Sequence, residues 1–143
     1  MDCETLDFDT AFLEALVLKG TVVYVEQPHG LREPGDRRVC LLHKALYGLK
    51  EAPLWWFLYI TKHIRALGFV PVDREPCIMR RGGVLVMIYV DNCAIACLKG
   101  TGEIAVVREQ LREACGLKNI GPLANYLGFE IIRDRPNRTL YLH

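Results

Sequence analysis

The stretch IYVDNCAIAC, residues 88–97, places a carboxylate and an amide, Asp91 and Asn92, between two short apolar segments. The apolar segments predict two strands, and the polar pair between them predicts the tip of a hairpin. Both side chains carry oxygen atoms, which are the ligands that hard cations bind. Both also tolerate the left-handed backbone of a two-residue turn, so these residues taken alone favour a plain turn.

Strand and helix signals alternate along the rest of the chain. A strand ends near Asp7, and apolar residues at helical spacing then predict a helix that stops at Gly20. A longer helix pattern begins at Pro53, with Leu54, Phe57, Leu58, Ile60, Ile64 and Leu67 close to one face, and another covers Glu103–Cys115. Further strands are predicted at residues 21–26, 39–42, 77–79, 84–90 and 93–98, with a terminal hairpin turning at Pro136–Asn137. This order predicts an α+β domain in which helices pack on one face of an antiparallel sheet.

Composition narrows the class of protein. The 143 residues are 51% hydrophobic, which fits one domain with a core of its own, and the net charge of +1 gives no bulk attraction for nucleic acid. The six cysteines form no zinc motif, which favours free buried thiols in a reducing compartment. Acidic residues stand where a signal peptide needs a basic region, and no apolar run reaches membrane-spanning length. We therefore expect a soluble intracellular protein, in cytoplasm or nucleus, without a membrane partner.

Six ordered segments carry a resemblance to a known family. They are LDFDTAFLEA (6–15), VYVEQPHG (23–30), LLHKALYGLKEAPLWW (41–56), ALGFVPVDREPCIM (66–79), VLVMIYVDNCAIA (84–96) and NIGPLANYLGFEIIRD (119–134). Together they resemble, over nearly the whole chain, the reverse transcriptase domain of copia-type LTR retrotransposons. The resemblance implies the palm fold of a polymerase as a single domain over residues 1–143, with a short finger-like insertion at about 16–50.

The resemblance also implies a chemistry for the hairpin. In this family the hairpin tip and an aspartate at the end of the first strand hold two Mg²⁺ ions, which activate the primer 3′-hydroxyl and neutralise the triphosphate. Asp7 matches the first-strand aspartate and Asp91 the first aspartate of the Tyr-x-Asp-Asp signature, so both are expected metal ligands. Phe12 matches the aromatic steric gate of the nucleotide site, and it is equally a core aromatic at helical spacing.

Two positions depart from the family pattern at places that carry chemistry. Asn92 replaces the second hairpin aspartate; an amide oxygen can still ligate a cation, but one negative charge is lost, which is expected to weaken catalysis severely. Glu51 stands where the family has glutamine beside the incoming nucleotide, and a carboxylate there would repel a triphosphate. A glutamate at the start of a helix is equally comfortable as a surface residue. Asp9 shares a face with Asp7 if the strand continues, although a solvated surface aspartate is the favoured interpretation.

Length is a further departure. Only six residues precede Asp7, so the N-terminal part of the fingers, the thumb and the RNase H domain are expected to be absent. A palm without these neighbours would expose apolar groups on its sheet, which predicts a homo-oligomer or a protein partner.

Three hypotheses about function follow from these observations. The favoured one is a non-catalytic retroelement relic, retained as a self-assembling or partner-binding module. The alternative is an active RNA-directed DNA polymerase palm that uses Mg²⁺ as a fragment of a longer polyprotein. The third is RNA or DNA binding without chemistry, using basic and aromatic side chains at Lys62, Arg65, Arg80, Arg81 and Trp55–Trp56.

Overall fold

The computed structural model describes residues 1–8 and 10–143, and the side chains of Asn119 and Ile120 lie outside this description. The chain divides into two compact units, one formed by Met1–Asp9 with Ile60–His143 and the other by Thr10–Tyr59. In the described part of the chain, no helix is both long enough and apolar enough to cross a membrane.

The secondary structure is a mixture of short helices and antiparallel strands, which confirms the α+β prediction. In chain order the elements are β1 (Asp2–Phe8), α1 (Ala11–Glu14), β2 (Tyr24–Glu26), β3 (Val39–Leu41), α2 (Ala52–Ala66), β4 (Val70–Val72), β5 (Glu75–Arg81), β6 (Val84–Tyr89), β7 (Asn92–Cys97), α3 (Glu103–Cys115), β8 (Leu117–Pro122), β9 (Asn125–Tyr126), β10 (Phe129–Asp134) and β11 (Thr139–Leu142).

The larger unit is built on a six-stranded antiparallel sheet with the order β4-β5-β6-β7-β1-β8. The strand β1 lies between two strands that come much later in the chain, because Asp7 pairs with Asn92 on β7 and with Lys118 on β8. Both edges of β1 are therefore hydrogen-bonded within the sheet, and its side chains Leu6 and Phe8 lie in the core.

The helix α3 covers one face of this sheet. Its apolar residues Ile104, Val107, Leu111 and Cys115 recur at helical spacing and are buried, and α3 contacts β1, β7 and β8. A salt bridge of 2.6 Å from Arg108 of α3 to Glu4 of β1 shows which face is covered. Residues paired directly across antiparallel strands point to the same face, so the rows of Glu4 and Leu6 face α3 and the row of Asp7 lies on the opposite face.

A separate three-stranded sheet, β11-β10-β9, completes the larger unit. Its strands β10 and β11 form the predicted hairpin that turns at residues 135–138. Side-chain and backbone groups of Asn137 donate to the carboxylate of Asp134, and the Arg138 backbone N–H donates to the Arg135 carbonyl. The turn is therefore held by its own side chains.

The smaller unit contains α1, the β2–β3 hairpin and the first part of α2. Asp36 organises the long loop between β2 and β3, since its carboxylate accepts hydrogen bonds from the Arg38 guanidinium and from the Gln27 amide. These bonds, above all those from Arg38, hold the pKa of the Asp36 carboxyl well below its usual range. The predicted returning strand at residues 39–42 is confirmed as β3.

The structure corrects two helix predictions. The first helix was expected to extend to Gly20, but α1 ends at Glu14 and Ala15 already has extended backbone. On the longer helix, Leu54 and Leu58 were expected on the buried face, but they are 54% and 43% exposed. The predicted Ile60 and Ile64 are buried, and the same face carries Ala52, Trp55 and Trp56. The two tryptophans offer more apolar area than the leucines, so burying their side of the helix is favoured.

Candidate metal site

Strand pairing brings Asp7 beside Asn92. The last residues of β1 pair with the first residues of β7, and Asp7 lies directly opposite Asn92. Directly opposed residues have Cα atoms about 4.5–5.5 Å apart, with side chains on the same face. The predicted meeting of Asp7 with the hairpin tip is present in the structure.

The hairpin turn consists of Val90 and Asp91. Tyr89 pairs with Asn92, so Asn92 is the first residue of β7 and not a turn residue as expected from the sequence. Val90 has φ 54°, in the left-handed region. A positive φ at the first central residue is typical of a type II′ turn, which matches the twist of the flanking strands better than an ordinary turn does. The site is thus built on a turn that a β-branched residue adopts only with strain.

The side-chain amide of Asn92 is hydrogen-bonded to one carboxylate oxygen of Asp91. Its Nδ2 donates a hydrogen bond of 3.2 Å to Asp91 Oδ1. Asp7 and Asp91 are each half-buried, whereas Asn92 is exposed. The oxygen donors at this tip are therefore two carboxylates and one amide, a set that fits a single hard dication. A second dication would have to share the same two negative charges.

Lys118 is a charged neighbour that the sequence reasoning missed. It lies on β8 directly opposite Asp7, so the row across the sheet reads Tyr89, Asn92, Asp7 and Lys118. The strand β8 was not predicted, because Gly121 and Pro122 interrupt its pattern. Only the register of β1 with β8 places an ammonium group in this row.

The thiols of Cys93 and Cys115 are buried on the α3 side of the same strands. Burial raises the pKa of the Cys93 thiol far above its usual range, and the charges of Asp91 and Asp7 add to the rise. Burial also raises the pKa of Cys115 to about 11 and that of Tyr126 to about 12. These groups stay neutral at physiological pH.

Phe12 and Glu51, the two expected nucleotide-site residues, belong to the smaller unit. Phe12 is buried in α1, with its ring centroid 4.6 Å from that of Tyr47. Glu51 is exposed, and its carbonyl accepts the first backbone hydrogen bond of α2 from Trp55. The predicted residue Asp9 lies outside the described residues. Among those described, no group of three or more His, Cys, Asp or Glu side chains is arranged to hold a metal ion.

Comparison with known proteins gives consistent matches to one family. Residues 2–143 match the family model described as reverse transcriptase (RNA-dependent DNA polymerase). The chain is 32% identical to the retrovirus-related Pol polyprotein from transposon TNT 1-94 of Nicotiana tabacum, over 99% of this chain and 11% of that protein. The Pol polyproteins from transposons RE1 and RE2 of Arabidopsis thaliana are 36% and 32% identical, over 63% and 90% of this chain and 6% and 9% of their own lengths. The chain thus spans about a tenth or less of the length of these relatives.

Proposed function

Because the chain belongs to the reverse transcriptase family of copia-type transposon polyproteins, we propose that it is a polymerase palm segment whose metal site is too weakly charged for two-metal catalysis. The observation that carries this proposal is the hydrogen bond from Asn92 to Asp91. An amide at this position adds no negative charge and also engages one of the carboxylate oxygens that a cation would need.

The missing negative charge at residue 92 lowers the affinity of the site for a cation by an amount that can be measured. A unit negative charge about 4 Å from a dication contributes roughly 2 kcal/mol even at the dielectric constant of water. This corresponds to about a thirtyfold change in affinity for one ion. A second ion next to the first suffers more, because repulsion between the two dications is then less well compensated. Lys118, placed opposite Asp7, adds a positive charge to the same row.

The residues that remain would hold one Mg²⁺ through Asp7 and Asp91, with the Asn92 oxygen free to join only if the amide turns away from Asp91. Two such ions supply activation of a primer hydroxyl and neutralisation of a triphosphate. In the proposed state the chain's own residues bind and orient a single cation at the end of β1. RNA-directed DNA synthesis is therefore not expected of this chain.

Metal affinity tests the proposal without requiring the rest of a polymerase. We would titrate the chain with Mn²⁺, detected by its electron paramagnetic resonance signal, and compare the wild type with Asn92→Asp. We expect Asn92→Asp to bind Mn²⁺ at least about tenfold more tightly, since the added charge lies next to Asp91. Asn125→Asp adds the same charge to an exposed residue of β9 and is the matched control, with a change below about threefold.

Two outcomes would contradict the proposal. Equal Mn²⁺ affinity in the wild type and Asn92→Asp would show that the amide does not limit metal binding. Primer extension by the wild-type chain with Mg²⁺ and deoxynucleotides would show directly that catalysis survives. Asp7→Asn should lower Mn²⁺ affinity in both backgrounds, which verifies that the signal reports this site.

A second proposed role is self-association through the β10–β11 hairpin. Large apolar side chains on these two strands are exposed: Phe129, Ile132, Leu140, Tyr141 and Leu142. The register places Phe129, Leu140 and Leu142 on one face of the hairpin and Ile132 with Tyr141 on the other. Exposed apolar side chains grouped on one face are typical of sites that are covered by another protein. We propose a second copy of the chain as the covering partner.

The solution mass of the chain tests this role. We expect a dimer or larger species in sedimentation equilibrium at micromolar concentration, and a shift towards monomer in Leu140→Thr/Leu142→Thr. The control Val106→Thr removes an exposed valine of α3, which is 57% exposed, and should leave the mass unchanged. A wild-type chain that stays monomeric at tens of micromolar would refute self-association.

A further inference from the structure

The row of side chains at the end of β1 contains a cation of its own. Asp7 lies directly opposite Asn92 of β7 on one side and directly opposite Lys118 of β8 on the other. Residues opposed in this way have Cα atoms about 4.5–5.5 Å apart and side chains on the same face. An ammonium group and a carboxylate expected to bind metal therefore stand on neighbouring strands and share one face of the sheet.

The sheet itself keeps Lys118 next to Asp7. The irregularity in the β1–β8 register lies between Thr5 and Leu6, so the pairing of Asp7 with Lys118 belongs to a regular part of the ladder. Their separation is thus fixed by backbone hydrogen bonds and not by a loop. Lys118 is exposed and Asp7 is half-buried. The flexible four-carbon stem of the lysine lets its ammonium group approach the carboxylate from the solvent side.

The charges at this end of β1 leave little attraction for a dication. Two carboxylates, Asp7 and Asp91, stand against the single ammonium group of Lys118, since Asn92 is neutral. When the ammonium group lies against Asp7, Asp91 is the carboxylate left for a cation. One of its oxygens, Oδ1, already accepts the hydrogen bond of 3.2 Å from Asn92.

We infer that Lys118 is the resident counter-ion of Asp7 and competes with metal ions for this carboxylate. The inference rests on the proposed function, because it assigns a regulator to the same weakly charged site. The ammonium group joins β8 to β1 electrostatically and compensates the repulsion between Asp7 and Asp91. Lysine suits this role, since its ammonium group is a compact point charge that can leave the carboxylate without a change in the backbone.

A Mn²⁺ titration followed by electron paramagnetic resonance measures the competition. The test variant is Lys118→Met, which keeps an unbranched side chain and removes the charge. The matched control is Lys62→Met, the same exchange at an exposed residue of α2. Lys118→Arg keeps the charge and should bind Mn²⁺ like the wild type.

The expected gain in Mn²⁺ affinity follows from Coulomb's law. A positive charge about 6 Å from a dication lowers the affinity roughly tenfold at the dielectric constant of water. We therefore expect Lys118→Met to bind Mn²⁺ about tenfold more tightly at low ionic strength. At 0.1 M salt, screening should reduce this gain to about threefold. Lys62→Met should change the affinity by less than about 1.5-fold at either salt concentration.

A second measurement, in EDTA, distinguishes a counter-ion from a distant charge. Lys118→Met should lower the urea midpoint of unfolding by about 0.5 M, because Asp7 loses its counter-ion. In the Asp7→Asn background there is no charge to compensate, so the same exchange should shift the midpoint by less than about 0.1 M. Any packing that the lysine stem loses is common to both backgrounds and cancels in the comparison.

The outcomes separate this inference from the proposed loss of charge at residue 92. Tighter Mn²⁺ binding in Lys118→Met, with a midpoint shift that requires Asp7, supports the inference even if Asn92→Asp binds like the wild type. Unchanged Mn²⁺ affinity in Lys118→Met would overturn it, and the proposed function would still stand if Asn92→Asp bound more tightly. Equal gains in Lys118→Met and Lys62→Met would also overturn it, since only net charge would then matter. Equal midpoint shifts with and without the Asp7 charge would refute the counter-ion role.

Discussion

The strained turn beside Asp91 predicts an unusual order of stabilities at Val90. Val90 has φ 54°, where the Cβ atom of an L-residue costs about 1–2 kcal/mol. Ala and Gly both remove the valine methyl groups, so comparing Val90→Ala with Val90→Gly isolates the Cβ atom. Removing the Cβ atom relieves this strain in the folded state. Glycine also gives the unfolded chain more conformational entropy, which lowers the stability by about 0.4–1 kcal/mol. Val90→Gly should therefore be more stable than Val90→Ala by roughly 0.5–1 kcal/mol.

Val106 provides the matched control for this comparison. It is an exposed valine in the first turn of α3, where the backbone is helical and glycine is less favourable than alanine by up to about 1 kcal/mol. The order of the two variants should thus be reversed between the two positions. Urea denaturation followed by circular dichroism would measure all four free energies of unfolding. Val90→Ala equal to or more stable than Val90→Gly would refute the strained turn.

Two further predictions concern the sheet and its thiols. Arg108→Ala should lower the free energy of unfolding by about 1–3 kcal/mol, because it leaves the partly buried Glu4 carboxylate without its 2.6 Å partner. Arg112→Ala, which breaks only an exposed pair with Glu109, should cost less than about 0.5 kcal/mol, and equal losses in urea denaturation would contradict this. Burial raises the pKa of Cys115 to about 11, so above about pH 8.5 the unfolded chain loses this proton first and stability should fall as the pH rises towards 11. Cys115→Ala should reduce that slope by up to about 1.4 kcal/mol per pH unit, and an unchanged slope would show that this thiol is not responsible.

Regular patterns in the sequence predicted the elements that depend on local signals. The helix Glu103–Cys115 has one clear apolar stripe and ends at Gly116, and its predicted bounds are confirmed. The β10–β11 hairpin is likewise confirmed, because Pro136 and Asn137 are strong turn residues between two apolar runs.

Features that depend on tertiary pairing were predicted less well. The strand β8 was missed because its stability comes from pairing with β1 and not from its own pattern, and Lys118 was missed with it. The hairpin turn was shifted by one residue, since Asp91 and Asn92 have strong turn propensity whereas Val90 does not. Of the expected site residues, Asp7, Asp91 and Asn92 lie together at the end of β1, and their roles as metal ligands stay a prediction.

The central place of β1 has a consequence for how the chain folds. Asp7 pairs with Asn92 and Glu4 pairs with Pro122, so the first strand cannot be enclosed in the sheet until β7 and β8 are both available. Long-range pairing of this kind raises the contact order and slows folding, typically to milliseconds or seconds. During synthesis on the ribosome, β1 leaves the exit tunnel before β7 and β8, so its backbone stays unpaired until they emerge. The end of the strand that carries Asp7 can be enclosed only after Lys118 has emerged, and the Glu4 end only after Pro122.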